Sequence, residues 1–229
     1  MTMDAPAGAS RLILWFSPSF PTGAFSFSHG LEWAVEAEDV QDRASLEAWI
    51  EGVLRYGAGW SDAVLIAAVH GAATQGDDKV LAEIAELAFA LQPSQERRLE
   101  STVQGEAFLK AVETGWNQEI ISRFRSLWRD PIALPVAVGV AAAANSIEPK
   151  ALIPAYLTGL AANLVSSAIR LAPIGQSDGL RVLAALEPAI AELAAKAEVA
   201  MLDDLGGCAL RSDIASMRHE TQGTRLFRS

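Results

Sequence analysis

Apolar residues recur along this chain at helical spacing, and no segment shows the strict apolar/polar alternation of a half-buried strand. The clearest stretch follows Asp42, a favoured N-cap type, where Leu46, Trp49, Ile50, Val53 and Leu54 fall at i, i+3, i+4, i+7 and i+8. Before it, a short helix is predicted over Ser28–Ala37. After it, Ser61 or Asp62 opens a helix to Thr74, and Asp77 or Asp78 opens one carrying Val80, Leu81, Ile84, Leu87 and Ala88 until Pro93 stops it. Ser94 begins a helix with Leu99, Val103, Phe108 and Val112 on its apolar stripe. Asn117 precedes Ile120, Ile121, Phe124, Leu127 and Trp128, ended at Pro131. Beyond a turn at Pro173, Gly175, Asp178 and Gly179, the residues Leu180, Leu183, Leu186, Ile190 and Leu193 resume a stripe, kinked at Pro188 and broken at Gly206-Gly207. The pattern predicts an all-α, single-domain bundle of about nine to ten helices over 1–205. Residues 206–229 lack such periodicity and are expected to form a flexible tail, loosely ordered when the protein is alone. Residues 1–10 are expected to fray, with Leu12–Phe16 docked.

Two stretches, Pro131–Ile147 and Ala151–Ile169, contain no charged residue, and the second makes a helix on the order of 28 Å long, near bilayer thickness. Pro154, Thr158, Asn163, Ser166 and Ser167 within it, together with the small residues Gly159, Ala161 and Ala162, favour close helix contact inside a bundle over a membrane span.

Composition narrows the choice of partners. A net charge of −10 disfavours nucleic acid and anionic lipid, which need clustered Lys and Arg. The tail departs from this balance: 206–229 carries four Arg against two acidic residues, about +2 on a body of −12. The lone Cys208 cannot form an internal disulfide, and Met1–Ser10 lacks a secretory pattern, so a reducing, cytoplasmic setting is expected.

Catalytic and metal-binding patterns do not emerge. His29, His70, His219 and Cys208 show neither i, i+4 nor CxxC spacing, and no stable metal or cofactor is expected. There is no phosphate loop, dinucleotide fingerprint or nucleophile elbow, so a conventional enzyme is not expected. Glu32 and Glu36 share a helix face at i, i+4, with Glu38 nearby, and are read as first-turn acids facing water. Most of the six tryptophans fall near apolar stripes and are assigned to the core; one or two suit an interface.

The densest segment is Ser17–Glu32, with Pro18, Pro21, Gly23 and Gly30 among three phenylalanines and small hydroxyls. Here Pro21, Gly23, Phe25, Ser26 and Gly30 are expected to shape a buried turn that orients the first helix and Glu32. The run Ser19-Phe-Pro-Thr-Gly-Ala-Phe-Ser-Phe-Ser-His-Gly-Leu-Glu32 resembles the N-terminal signature of the UreF family of urease accessory proteins. Met217-Arg-His-Glu-Thr-Gln-Gly-Thr-Arg-Leu-Phe-Arg-Ser229 is similar to that family's C-terminal signature, and Pro173-Ile-Gly-Gln176 to a weaker third element. Departures are Pro18 in place of a small polar residue, Arg170 where some relatives have lysine, and Gly223 where an aromatic is common.

The resemblance implies a non-enzymatic helical scaffold and chaperone, homodimeric, that bridges UreD (also called UreH) and the GTPase UreG while the complex handles nickel for apo-urease. It implies contact with UreD through the tail, specifically Arg218, His219, Glu220, Thr221, Arg225, Leu226 and Phe227, and with UreG near Arg170 and Gln176. In this reading Leu226 and Phe227 dock into a partner; the alternative is that the tail folds back on its own acidic body. Other classes are a freestanding GTPase regulator, with an arginine finger from Ser94–Arg98 or Arg170, and a helical membrane-associated protein.

Overall fold

The structure is a computed structural model that describes residues 5–116 and 119–228, with side chains from Gly8 onward. Its α-helices are α1 (Ala5–Trp15), α2 (Leu31–Glu36), α3 (Arg43–Tyr56), α4 (Ala58–Gln75), α5 (Asp78–Ala90), α6 (Gln95–Trp116), α7 (Glu119–Leu127), α8 (Leu134–Ala144), α9 (Pro149–Leu171), α10 (Gln176–Ala197) and α11 (Leu210–His219). No strand occurs among the described residues, and the all-α expectation holds. Ten of the helices lie from Leu31 onward, and α1 joins residues expected to fray to residues expected to dock.

Local capping chemistry sets several boundaries where the sequence places them. Asp42 Oδ1 accepts from the Ser45 N–H at 2.9 Å and Ser45 Oγ accepts in return from the Asp42 N–H at 3.1 Å, a reciprocal cap on α3. Asp77 caps α5 through the Val80 N–H, and Ser94 caps α6 through the Arg97 N–H, both at 3.1 Å. Other boundaries move. Ser61 and Asp62 lie inside α4, whose N-cap is Gly57, and the predicted turn at Asp178 and Gly179 is the first turn of α10. The expected cap Asn117 lies outside the described residues.

The centre of the bundle is α8, whose Leu-Pro-Val-Ala-Val-Gly-Val-Ala run is buried from Pro135 to Ala143. It packs against α4 and α6, with α5 and α7 completing its surroundings. Small residues permit that approach: a Cβ on Gly139 would come within 2.6 Å of Val69 Cγ1, and one on Gly105 within 2.1 Å of the Ile132 carbonyl oxygen. By length and composition α9 could cross a bilayer, but half of its apolar window is buried, and it packs against α10, α4, α2 and α3. Trp15 joins Phe108 and Trp116 edge-on, at centroid distances of 5.5 and 6.0 Å, and so ties α1 to α6.

Two expectations are corrected. The helix α6 was read with Leu99 and Val103 on its apolar stripe, yet Leu99 is exposed and Val103 only half-buried. The buried face instead carries Glu96, Arg97, Glu100, Ser101 and Gln104 before reaching Phe108. The tail is likewise not loose: 210–219 is helical, Ser216 and His219 are fully buried and Phe227 nearly so. Its described residues, 206–228, fold back on the body because the body offers carboxylates and an apolar seat, the alternative that the charge contrast also allowed.

The signature turn is partly exposed. Pro21 and Phe25 face solvent and Gly23 and Ser26 are half-buried, while Phe27 through Glu32 are buried. Gly23 and Gly30 both adopt left-handed φ, +74° and +78°. Space around a Gly23 Cβ is open, whereas one on Gly30 would lie 2.7 Å from the Ser216 nitrogen. Gly23→Ala is therefore expected to destabilise by about 1 kcal/mol through φ alone, and Gly30→Ala by about 3 kcal/mol because backbone must also move. Urea denaturation of both variants checks the order; equal losses would show that α11 does not press on Gly30.

Candidate partner-binding surface

Glu32 sits in the first turn of α2, held there by Gly30 at the N-cap and by the Ser28 hydroxyl, which accepts from the Glu32 N–H at 3.3 Å. Its carboxylate is buried and does not face water as the sequence suggested. Oε1 accepts from the Leu226 N–H at 2.6 Å, and Oε2 from the Phe227 N–H at 2.9 Å and from His219 Nε2 at 3.0 Å. On the other side of the imidazole, Nδ1 lies 2.6 Å from Glu96 Oε2, while Glu96 Oε1 accepts from Arg225 at 2.8 Å. The ring thus bridges Glu32 and Glu96, one carboxylate at each nitrogen. The carboxylates lie on opposite sides of the ring, so they share no point at which a metal ion would sit. Among the described residues no group of three His, Cys, Asp or Glu side chains is so arranged.

Further bonds close the tail over the signature. The Arg228 N–H donates to the Ser26 carbonyl at 2.8 Å, the Arg228 guanidinium stands 5.3 Å from the Phe27 ring centroid, and Glu220 accepts from the Gln95 N–H at 2.9 Å. Arg170, in the last turn of α9, donates to the Phe25 carbonyl and lies over the Phe227 ring at 4.3 Å. Arg170 thereby joins the N-terminal signature to the C-terminal one, and its guanidinium is engaged within the chain. The Arg170 side chain nevertheless remains exposed.

The residues singled out in the sequence divide by exposure. His219 and Phe227 are buried, and Arg225 and Glu220 pair with the body through Glu96 and the Gln95 N–H. Arg218, Thr221 and Leu226 remain exposed, as does Phe25 at 67%. Gln176, first in α10, is exposed, and no hydrogen bond among the described residues joins it to this cluster. Ser94–Arg98 is not a loop offering an arginine finger. It begins α6, with Arg97 buried against Glu100 and Arg98 stacked on Phe89 at 5.0 Å. Sequence reading missed Glu96, whose only signal is a polar series at 96, 97, 100, 101 and 104 on one face of α6.

The N-terminal signature also walls a cavity of about 360 Å³. Trp15, Phe16, Phe20, Phe108 and Tyr156 give it aromatic sides, and His29, Asp62, Arg97, Glu100 and Gln104 give it a polar end. Tyr156 Oη donates to Asp62 Oδ2 at 2.5 Å. Burial pushes the Asp62 carboxyl up to about 6, a rise that the Tyr156 hydrogen bond and Arg97 moderate. Burial, aided by Arg97, pushes His29 down to about 4. His70, buried in α4, is also lowered by its burial.

Fold and site together define an all-helical protein in which three segments remote in sequence build one surface. The UreF family model matches residues 40–187, the body without either terminal signature. Relatives extend the likeness over both ends. The chain is 48% identical over 229 residues to a protein named urease accessory protein UreF from Rhodopseudomonas palustris (strain HaA2), covering 99% of this chain and 97% of that one. It is 49% identical over 221 residues to the protein of that name from Methylobacterium sp. (strain 4-46), covering 96% and 88%. With that of Bradyrhizobium sp. (strain BTAi1 / ATCC BAA-1182) the identity is 48% over 227 residues, covering 99% and 94%. The chain belongs to the UreF family of urease accessory proteins.

Removing the Glu32 charge should unfasten the tail. Glu32→Gln is expected to destabilise by about 2–4 kcal/mol, since the amide cannot accept from all three donors and its own N–H₂ would face one of them. Hydrogen exchange should then rise across 210–228 before the rest of the chain; a uniform rise would mean the tail is not separately held. The cavity predicts a pH effect of definite sign. Asp62, raised from 3.8 to about 6, contributes stability that is full below its ordinary value and lost as pH rises through about 6. Asp62→Asn keeps an acceptor for Tyr156 and cannot ionise. Its stability relative to wild type should therefore improve by on the order of 3 kcal/mol between pH 4 and pH 7, read from thermal melts across that range. A pH-independent offset would show that Asp62 titrates normally.

Proposed function

We propose that this chain acts as a non-enzymatic scaffold and chaperone in urease maturation, bridging UreD (UreH) and the GTPase UreG so that the assembled complex delivers nickel to apo-urease. The observation that carries this reading is the convergence of the two terminal signatures with Arg170 of α9. Phe25–Glu32 and Glu220–Arg228, nearly 200 positions apart, meet through Glu32, Glu96 and the stack of Arg170 on Phe227. Such a construction suits presentation of a composite surface to another protein, with exposed Phe25 and Leu226 as apolar contacts and Arg218 as a charged one.

In this reading the tail, through Arg218, His219, Glu220, Thr221, Arg225, Leu226 and Phe227, serves UreD. His219 and Phe227 do so indirectly, by fixing the shape of the segment. Arg170 and exposed Gln176 serve UreG, with Arg170 acting through the surface it assembles. The protein works as a cytoplasmic homodimer and leaves nickel to the complex. The exposed series Leu210, Ile214 and Met217, at i, i+4 and i+7 on the outer face of α11, supports association with a protein surface.

Co-expression of urease with its accessory proteins tests the reading. Omitting this chain is expected to abolish nickel-dependent urease activity. Leu226→Asp, at an exposed position, should leave thermal stability within about 0.5 kcal/mol of wild type while reducing co-purification with UreD at least tenfold. Undiminished co-purification would remove Leu226 and its neighbours from the interface.

A further inference from the structure

His29 contributes nothing visible to the composite surface, yet the fold holds it in an unusual state. Its φ is +61°, in the left-handed region that few non-glycine residues occupy, and the adjacent Gly30 is left-handed as well. Its side chain is 95% buried, and Nδ1 has no hydrogen-bond partner. The Glu100 oxygen facing it is 3.8 Å away, beyond hydrogen-bonding reach. Buried polar atoms in native proteins are nearly always satisfied. The residue that carries it lines the 360 Å³ cavity, whose volume lies at the small end of the range for small-molecule sites.

The charges around the cavity indicate what would satisfy it. Two carboxylates, Asp62 and Glu100, face one guanidinium, Arg97, which is bound to Glu100. Asp62 makes no ion pair among the described residues and receives only the Tyr156 hydroxyl. A carboxylate has about four lone-pair sites, so acceptor capacity remains. The imidazole, held neutral by burial, offers a lone pair and no charge. The facing wall presents Phe16, Phe20 and Phe108, whose ring faces attract cations and whose bodies accept apolar groups. An anion would meet an excess of negative charge, and a wholly apolar molecule would leave the polar end unpaired.

We propose that this cavity binds a small organic ammonium ion with an apolar body, its N–H groups donating to Asp62 and to His29 Nδ1 while the body lies against Phe16, Phe20 and Phe108. The cavity shares Phe25 with the composite surface, but binding within it does not depend on the role proposed for that surface. The isolated full-length chain suffices to test it, with 2-phenylethylammonium as probe and 2-phenylethanol and 3-phenylpropionate as its neutral and anionic counterparts, by titration calorimetry at pH 7.5. Saturable one-to-one binding of the ammonium is expected, at least tenfold tighter than the alcohol, with none of the carboxylate. Asp62→Asn should lower ammonium affinity at least tenfold and leave the alcohol unaffected. Ser166→Trp, at an exposed position on the rim, should block both without a change in melting temperature. No saturable ammonium binding, equal binding of ammonium and alcohol by the wild type, or ammonium binding that survives both substitutions would each overturn the proposal.

Discussion

A carboxylate buried in the first turn of a six-residue helix organises this molecule. Glu32 belongs to α2, too short to be stable by itself, and it accepts from two consecutive backbone N–H groups and an imidazole that all come from the other end of the chain. The arrangement is mutual. Without the tail, Glu32 and Glu96 would be poorly compensated; without the carboxylates, the N–H groups of Leu226 and Phe227 and the His219 ring would lose their acceptors. Breaking one side of such a set is far more costly than its net contribution suggests, because the remaining partners stay in a dry place. The Arg170 stack on Phe227 and the Phe25 carbonyl adds a third segment to the same set.

The helix α6 carries two jobs on one face. At its start, Glu96 looks to the tail. A turn later, Glu100 takes the Arg97 guanidinium and the Gln104 amide, and Ser101 Oγ accepts from the Leu134 N–H that opens α8. Farther on, Phe108 returns the face to the apolar core, where it meets Trp15, Phe16 and Phe20. One polar ridge thus lies between the composite surface and the cavity, and Arg97 is the cation that makes its burial tolerable.

What could be read in advance was what depends on neighbours in sequence. Asp42, Asp77 and Ser94 cap the helices they appear to cap, because an N-cap bond spans only three residues. The apolar stripe of α3 is buried as its spacing requires. Apart from the shifted starts of α4 and α10, the failures involve distant pairings. Glu32 looks like a solvated first-turn acid until residues 194 and 195 positions away bond to it. The α6 stripe was placed on Leu99 because nothing nearby explains why Glu96, Arg97 and Glu100 should be inside. The basic tail was correctly seen as complementary to the acidic body, but charge balance alone does not say whether its partner is another protein or its own chain. The two terminal signatures gave no sign that they touch each other.

The span of these contacts bears on how the protein is made. Synthesis proceeds from the N-terminus, and most of the bundle can close on local and intermediate contacts while the remainder of the chain is still being translated. Glu32 precedes its partners His219, Leu226 and Phe227 by 187, 194 and 195 positions, so its carboxylate stays hydrated while the residues between are translated. Closing so long a loop is a late and discrete event. Until residues 219–228 are joined, the core can close without the surface that Glu32 organises, so that surface forms in a step of its own, after the bundle.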